Sequence, residues 1–321
     1  MSPRRLLPAS GVLFALGAYG AWGLLPVYWK ALERVPLLEI VAHRVLWSLG
    51  FAALLLQGAD GWSQVREVMR SPRLLLAMSA TSLLIGSNWL LFIWAVNAGH
   101  VLATSLGYFL NPLVSVLLGV AFLRERLRLL QTLAVGLAAF GVLQLALREG
   151  GVPWISLLLA GTFALYGLLR KLAPIRPLAG LAVELLLLAP LAAGYLLWLG
   201  ARHRGAFLAE GWGFESALLG LAGVATATPL LWFTAAARRL RLSTLGLFQY
   251  LAPSLSFGLA VAVYHEPFTR SDALTFGCIW AALALYSSDS ARALRSRRRE
   301  LPARMRYPED RGAEPPQPAE P

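Results

Sequence analysis

Residues 108–125 read YFLNPLVSVLLGVAFLRE, and residues 249–266 read QYLAPSLSFGLAVAVYHE. The stretches lie 141 positions apart and share one register: Pro112 with Pro253, Ser115 with Ser256, Glu125 with Glu266. Leu110/Leu251 and Val120/Val261 match as well, but apolar identities carry little weight in so apolar a chain. Working outward, the same shift pairs Phe92 with Phe233, Gly136 with Gly277 and Pro36-Leu37 with Pro177-Leu178, ungapped from 85 to 137. A further anchor, Trp22-Gly23-Leu24-Leu25 against Tyr166-Gly167-Leu168-Leu169, needs a shift of 144, so a short gap intervenes. A self-match at a fixed long period marks a duplicated unit.

Hydropathy says what each unit contains. The 321 residues are 57% hydrophobic and only 14% charged, with mean hydropathy +0.61, where a soluble domain carries about 25% charged residues. Ten apolar runs follow one another at about 10–29, 36–57, 73–96, 101–123, 128–147, 153–170, 177–199, 213–237, 243–264 and 272–290. About 20 apolar residues cross a bilayer core, and a tilted helix tolerates some mismatch. The runs lack the period-two alternation of a membrane barrel, so each is predicted as a helix whose backbone bonds are satisfied internally. The first run follows Arg4 and Arg5 in the manner of a signal peptide, but no cleavage site leads into a soluble domain, so it reads as the first span. The predicted fold is all-α integral membrane: ten transmembrane helices as two five-helix repeats, 10–147 and 153–290, between a short N-terminus (1–9) and a tail (291–321). Five is odd, so the second copy enters the membrane from the opposite side. Inverted repeats of this kind build secondary transporters, with a fixed site between halves that rock around it; a bare scaffold is the other reading.

Charge sets the orientation. With the N-terminus inside, 22 of the 29 basic residues fall on inner segments, among them Arg66, Arg70, Arg124, Arg126, Arg170, Lys171, Arg238, Arg239 and the tail arginines. Six fall on outer loops, and Arg44 lies within a span. Cytoplasmic loops are enriched in Lys and Arg, so both termini are expected in the cytoplasm. The net charge of +12 then reports topology and gives no reason to expect nucleic acid as a partner. The tail, basic and then rich in Pro and acidic residues, cannot bury a core and is expected to be disordered; its arginines suit anionic headgroups.

Several motifs resemble the RarD-type permeases of the EamA family, drug/metabolite transporter superfamily. They are Gly17-Ala-Tyr-Gly-Ala-Trp22-Gly-Leu-Leu-Pro26-Val-Tyr-Trp-Lys30 and Pro36-Leu-Leu-Glu39-Ile-Val-Ala-His43-Arg44-Val-Leu-Trp47-Ser48. Gly86-Ser-Asn88-Trp89, Ser105-Leu-Gly-Tyr108-Phe-Leu-Asn111-Pro112, Tyr166-Gly-Leu-Leu-Arg170-Lys171 and Gln249-Tyr250-Leu-Ala-Pro253 fit the same group. The likeness covers about 10–290 and excludes the tail. It implies ten helices in the bacterial inner membrane and transport of a metabolite or drug-like solute; related families export metabolites, amino acids or drugs. It assigns no residue a role.

Ionisable residues inside spans are costly and mark function by default. Arg44 follows Pro36 by eight residues, which puts it about 12 Å into the second span; Glu184 follows Pro177 by seven, about 10 Å into the seventh from the other side. In a core about 30 Å thick they differ by about 8 Å in depth, and the repeat equates His43 with Glu184. Arg44 is the candidate for attracting an anionic group or pairing with Glu184, with snorkelling to the headgroups as the alternative. Glu184 and His43 are the proton-coupling candidates, a neutral Glu184 bonded to backbone being the rival for the former. Glu39 and His43, four apart, share a face; Glu39 sits one turn in and reads as an interface anchor.

Asn111 lies about 15 Å along its helix, near the midplane, beside Pro112, which frees a carbonyl one turn back; Pro253 does the same in the ninth run. Paired interruptions at corresponding positions point to a transport site. Tyr108, its repeat mate Gln249, Asn88, Trp89, Trp22 and Tyr19 complete a candidate substrate-binding set, although each alone could be helix-packing glue. Glu125 and Glu266, at the ends of the fourth and ninth helices, read as structural anchors or caps, with Pro112 and Pro253.

No phosphate-binding G-x-x-x-x-G-K-[ST], no H-E-x-x-H and no Ser/His/Asp motif occurs, and the lone Cys278 excludes a disulfide framework. No cofactor, metal or catalytic residue is therefore expected. The reading is a secondary transporter of a small organic solute, working by alternating access, by export, as monomer or homodimer among membrane lipids, with possible proton coupling. An intramembrane lipid-acting enzyme and a non-transporting sensor or scaffold are the rivals.

Overall fold

The computed structural model describes residues 8–57, 61–98, 100–148, 154–208, 211, 213–263, 273–289 and 292. Among them no strand occurs. The helices are α1 Pro8–Lys30, α2 Leu37–Gln57, α3 Gly61–Arg70, α4 Pro72–Asn97, α5 Val101–Leu123, α6 Leu129–Arg148, α7 Trp154–Leu172, α8 Pro177–Ala201, α9 Phe214–Ala237, α10 Leu242–Phe248 and α11 Leu251–Ala262, followed by α12 over 273–289. Seven of these, α1, α2, α4, α5, α7, α8 and α9, are long and apolar enough to cross a membrane. The chain is a multi-pass membrane protein. Leucines that a soluble fold would hide stand exposed along the long helices, Leu83 on α4 and Leu191 and Leu197 on α8 among them, as a lipid-facing surface requires.

One of the ten expected spans is divided, and one helix lies outside them. The ninth run is two helices, α10 and α11, separated at Gln249–Tyr250. Pro253 lacks the N–H that would bond the Gln249 carbonyl, and its ring crowds that carbonyl. Pro112, its repeat mate, sits inside an unbroken α5. The sixth run forms α6, helical over Leu129–Arg148, and the tenth is described only over 273–289. An unforeseen amphipathic helix, α3, lies between α2 and α4, burying Gly61, Val65 and Val68 against α8 and α4. The tail lies outside the described residues, apart from Arg292.

The packing is reciprocal. α1 lies on α9 and α11, while α7 lies on α4 and α5; α2 lies on α8 and α9, and α8 on α2 and α4. The α2–α9 approach depends on Gly223, where a β-carbon would strike the Trp47–Ser48 backbone. Ser48 Oγ exploits that closeness, donating to the Gly223 carbonyl at 3.0 Å.

Candidate functional site

Arg44 leaves α2 toward α9, where its Nε donates to Thr226 Oγ1 at 2.9 Å. Its guanidinium carbon lies 4.9 Å from the ring centroids of both Trp29, on α1, and Trp89, on α4. Cation–π contacts of this kind offset part of the cost of a cation in a span. Among the described residues no carboxylate lies within ion-pair distance of Arg44. The phenols of Tyr108 and Tyr28 lie close enough to act on it electrostatically. Tyr108 is 50% exposed, with its ring 6.0 Å from Phe92 in a T-shaped pair.

Glu184 does not pair with Arg44. Its Oε1 lies 3.5 Å from Nε of Arg170, and its Oε2 accepts from the Tyr166 hydroxyl at 3.3 Å. Arg170 is 1% exposed and Glu184 2%. Arg170 therefore is not a loop charge: it turns inward, donating through Nη2 to the Pro177 carbonyl and touching Met78 Sδ through Nη1. Gly180 makes the room, since a β-carbon there would overlap the guanidinium. Lys171, next in sequence, donates to the Ala237 and Leu240 carbonyls and so closes the end of α9.

Glu39 accepts the N–H groups of Ala206 (2.7 Å) and Phe207 (3.1 Å) at Oε1, which seats the α8–α9 connection on α2. His43 Nε2 stands 3.9 Å from the same oxygen, its ring 4.7 Å from that of Phe207. The imidazole is thus part of this seat.

Asn111 is buried and accepts weakly from Ser115 at 3.4 Å. Asn88 is spent on helix packing: its Nδ2 donates to the Leu159 carbonyl and to Thr162 Oγ1, each at 2.9 Å, across the α4–α7 contact. Gln249 is buried at the α10–α11 break. Tyr19 and Trp22 join Phe163, Tyr166 and Phe233 in one aromatic cluster, with Trp22 5.7 Å and Tyr166 6.0 Å from Phe233. Trp22 and Tyr166, equivalent in the repeat, thus meet on one ring. The Tyr19 hydroxyl is buried without a hydrogen-bond partner among the described residues. Nothing in the residue pattern signals the Thr226, Trp29 and Arg170 roles, beyond the apolar placement of Thr226, which hints at a helix-facing hydroxyl.

Glu125 closes the N-terminus of α10. Arg124, with φ 53°, turns the chain out of α5, and Gly119 leaves space for the carboxylate. Its oxygens accept from Leu242 N (2.7 Å), Ser243 N (2.9 Å) and Ser243 Oγ (2.6 Å). Those amides are the orphan donors of a helix start. Glu266 lies outside the described residues. Among the described residues no group of three or more His, Cys, Asp or Glu side chains is placed to hold a metal.

Residues 9–147 match the EamA-like transporter family. The chain is 48% identical to an uncharacterized transporter of Vibrio cholerae, over 93% of this chain and 99% of that one. It is 46% identical to the protein RarD of Streptomyces exfoliatus, over 92% and 93% respectively. With the protein RarD of Escherichia coli it shares 46% identity over 87% of this chain and 94% of that one. A solved structure described as "Crystal structure of protein" has a TM-score of 0.65 at 20% identity, over 89% of this chain and 99% of the other, a likeness of fold alone. Helices, motifs and relatives agree: the chain belongs to the RarD-type permeases of the EamA-like transporter family.

Proposed function

We propose that this membrane transporter is a secondary permease that moves a small organic solute across the bacterial inner membrane by alternating access, in the direction of export. Its helices form two inverted five-helix repeats with both termini in the cytoplasm. The reciprocal packing is the observation that carries the reading: α1 on α9 and α11, α7 on α4 and α5. A pseudo-twofold axis in the membrane plane generates such swapped pairs, and in transporters of this build the solute sits near that axis. The interruption at Gln249–Tyr250 supports it, since broken helices supply transport sites. Arg44, with Trp89 and Tyr108 beside it, is the solute-facing group, and Glu184 the proton-coupling group, with Arg170 as its resting counter-charge.

The test is counterflow in liposomes. Purified protein is first screened against metabolites and drugs by thermal shift, and stabilising compounds are then followed as labelled solutes. At least one should exchange faster than in protein-free liposomes. Failure of every stabilising compound to exchange would leave a sensor or scaffold.

A further inference from the structure

Resting on the transporter reading, we propose that Arg44 is the carboxylate-binding residue of the solute site, and that the solute is a small organic monoanion with a flat or apolar body and no ammonium group.

The argument begins with what Arg44 has left to offer. A guanidinium is planar, with donors in its plane and apolar faces above and below. Indole rings lie against it from α1 and α4, and Nε is bound to Thr226. What remains is the in-plane edge carrying Nη1 and Nη2, the fork that matches a carboxylate bidentately. Arg44 is half-buried, so part of the side chain stays accessible to a ligand. A cation inside a span with no carboxylate partner is expensive. An anionic solute supplies the missing charge when it binds.

The surroundings limit that charge to one. The Tyr28 and Tyr108 hydroxyls lie close enough to act on Arg44 electrostatically, and they can donate hydrogen bonds to an anion without adding charge. A doubly charged phosphate would leave one charge uncompensated, whereas a monocarboxylate balances the arginine. Among the described residues no carboxylate is paired with Arg44, so an ammonium carried next to the bound carboxylate would face the guanidinium without a counter-charge on it. The remaining walls are aromatic, with Trp29, Trp89, Phe92 and Tyr108 in contact with the cation or with one another, and they suit a flat or apolar body. At the end of α1, Trp29 also lines a cleft of about 570 Å3 with Glu33, Arg34, Leu38 and Tyr195.

Three probes of nearly one shape separate the chemistries: hydrocinnamate, its amide, and phenylalanine. Each is titrated calorimetrically into the purified full-length protein. Hydrocinnamate should bind about tenfold or more tightly than either of the others, the gain expected of a charge-assisted hydrogen bond. Arg44→Gln should remove that preference. Arg44→Lys keeps the charge that the fold accommodates but loses the planar fork, and should weaken hydrocinnamate about tenfold. The proposal is overturned if hydrocinnamate does not bind, if the amide or the amino acid binds as well, or if Arg44→Lys binds with wild-type affinity. Counterflow with the same probes keeps the two readings apart. Hydrocinnamate binding without flux would overturn the transporter reading and leave the anion site standing; flux of the amide or of phenylalanine at the acid's rate would do the reverse.

Discussion

Arg170 and Glu184 form a closed ion pair, Nε to Oε1 at 3.5 Å, on helices α7 and α8 that adjoin in sequence. Water reaches neither side chain to any useful extent. Attraction between such charges is strong, but so is the cost of desolvating them, and the net value emerges only when one partner is removed.

Removing one partner should therefore be severe and removing both mild. Glu184→Gln leaves Arg170 charged and uncompensated, and should cost about 3–5 kcal/mol. Arg170→Met should cost less, because Glu184 can take up a proton and arginine cannot release one. The double variant should recover about 1 kcal/mol or more relative to the sum of the singles, read from unfolding in detergent. The same cycle between Arg44 and Glu184 should be additive within about 0.5 kcal/mol, since they share no partner. Coupling there would contradict the separate environments described above.

Gly180 and Gly194 lie on the same helix, α8, and should respond oppositely. A β-carbon at Gly180 displaces the Arg170 guanidinium, while at Gly194 it meets nothing within 4 Å. Gly180→Ala should lose about 1–3 kcal/mol through overpacking. Gly194→Ala should gain about 0.5–1 kcal/mol from reduced backbone entropy cost. Thermal unfolding of the two variants side by side checks the pair, and equal shifts would refute the packing account.

At the start of α10, Glu125→Ala should cost about 2 kcal/mol, because the Leu242 and Ser243 amides lose a charged acceptor. Ser243→Ala removes one of the three bonds and should cost about 1 kcal/mol. Hydrogen exchange localises the effect: the amides of Leu242 and Ser243 should lose protection in Glu125→Ala, while those of α9 keep theirs.

If Glu184 carries the coupling proton, Glu184→Gln should still exchange solute across liposomes at equal pH. It should fail to concentrate solute when a pH gradient is imposed. Undiminished gradient-driven uptake would assign the coupling elsewhere.

The apolar runs made the long helices legible, because crossing a bilayer imposes length and composition directly on the chain. Glu125 and Glu39 could be read as anchors from their places at helix ends. Partners within spans could not. Counting residues from a helix start gives depth along the axis and says little about which neighbour a side chain faces, so Arg44 and Glu184 fell at similar depth yet have different partners. Arg170 ends an apolar run and so reads as a loop charge; its inward turn depends on a gap at Gly180, ten residues on and on another helix. The short helix α3 leaves little trace in the residue pattern, since it buries only Gly61, Val65 and Val68. The break in the ninth run depends on a proline whose mate leaves α5 whole, a distinction made by packing.

The Glu125 carboxylate joins a connection that follows α5 to the first amides of α10, and further along the same two runs the Tyr250 hydroxyl donates to the Phe109 carbonyl at 3.2 Å. Between these fasteners Gly246 lies against the Pro112 carbonyl. Two fasteners and a close backbone contact hold one seam together. If the halves rock during transport, that seam is the expected line of rotation: spin labels placed across it should hold their separation while labels elsewhere swing, and a changed separation across it would contradict the account.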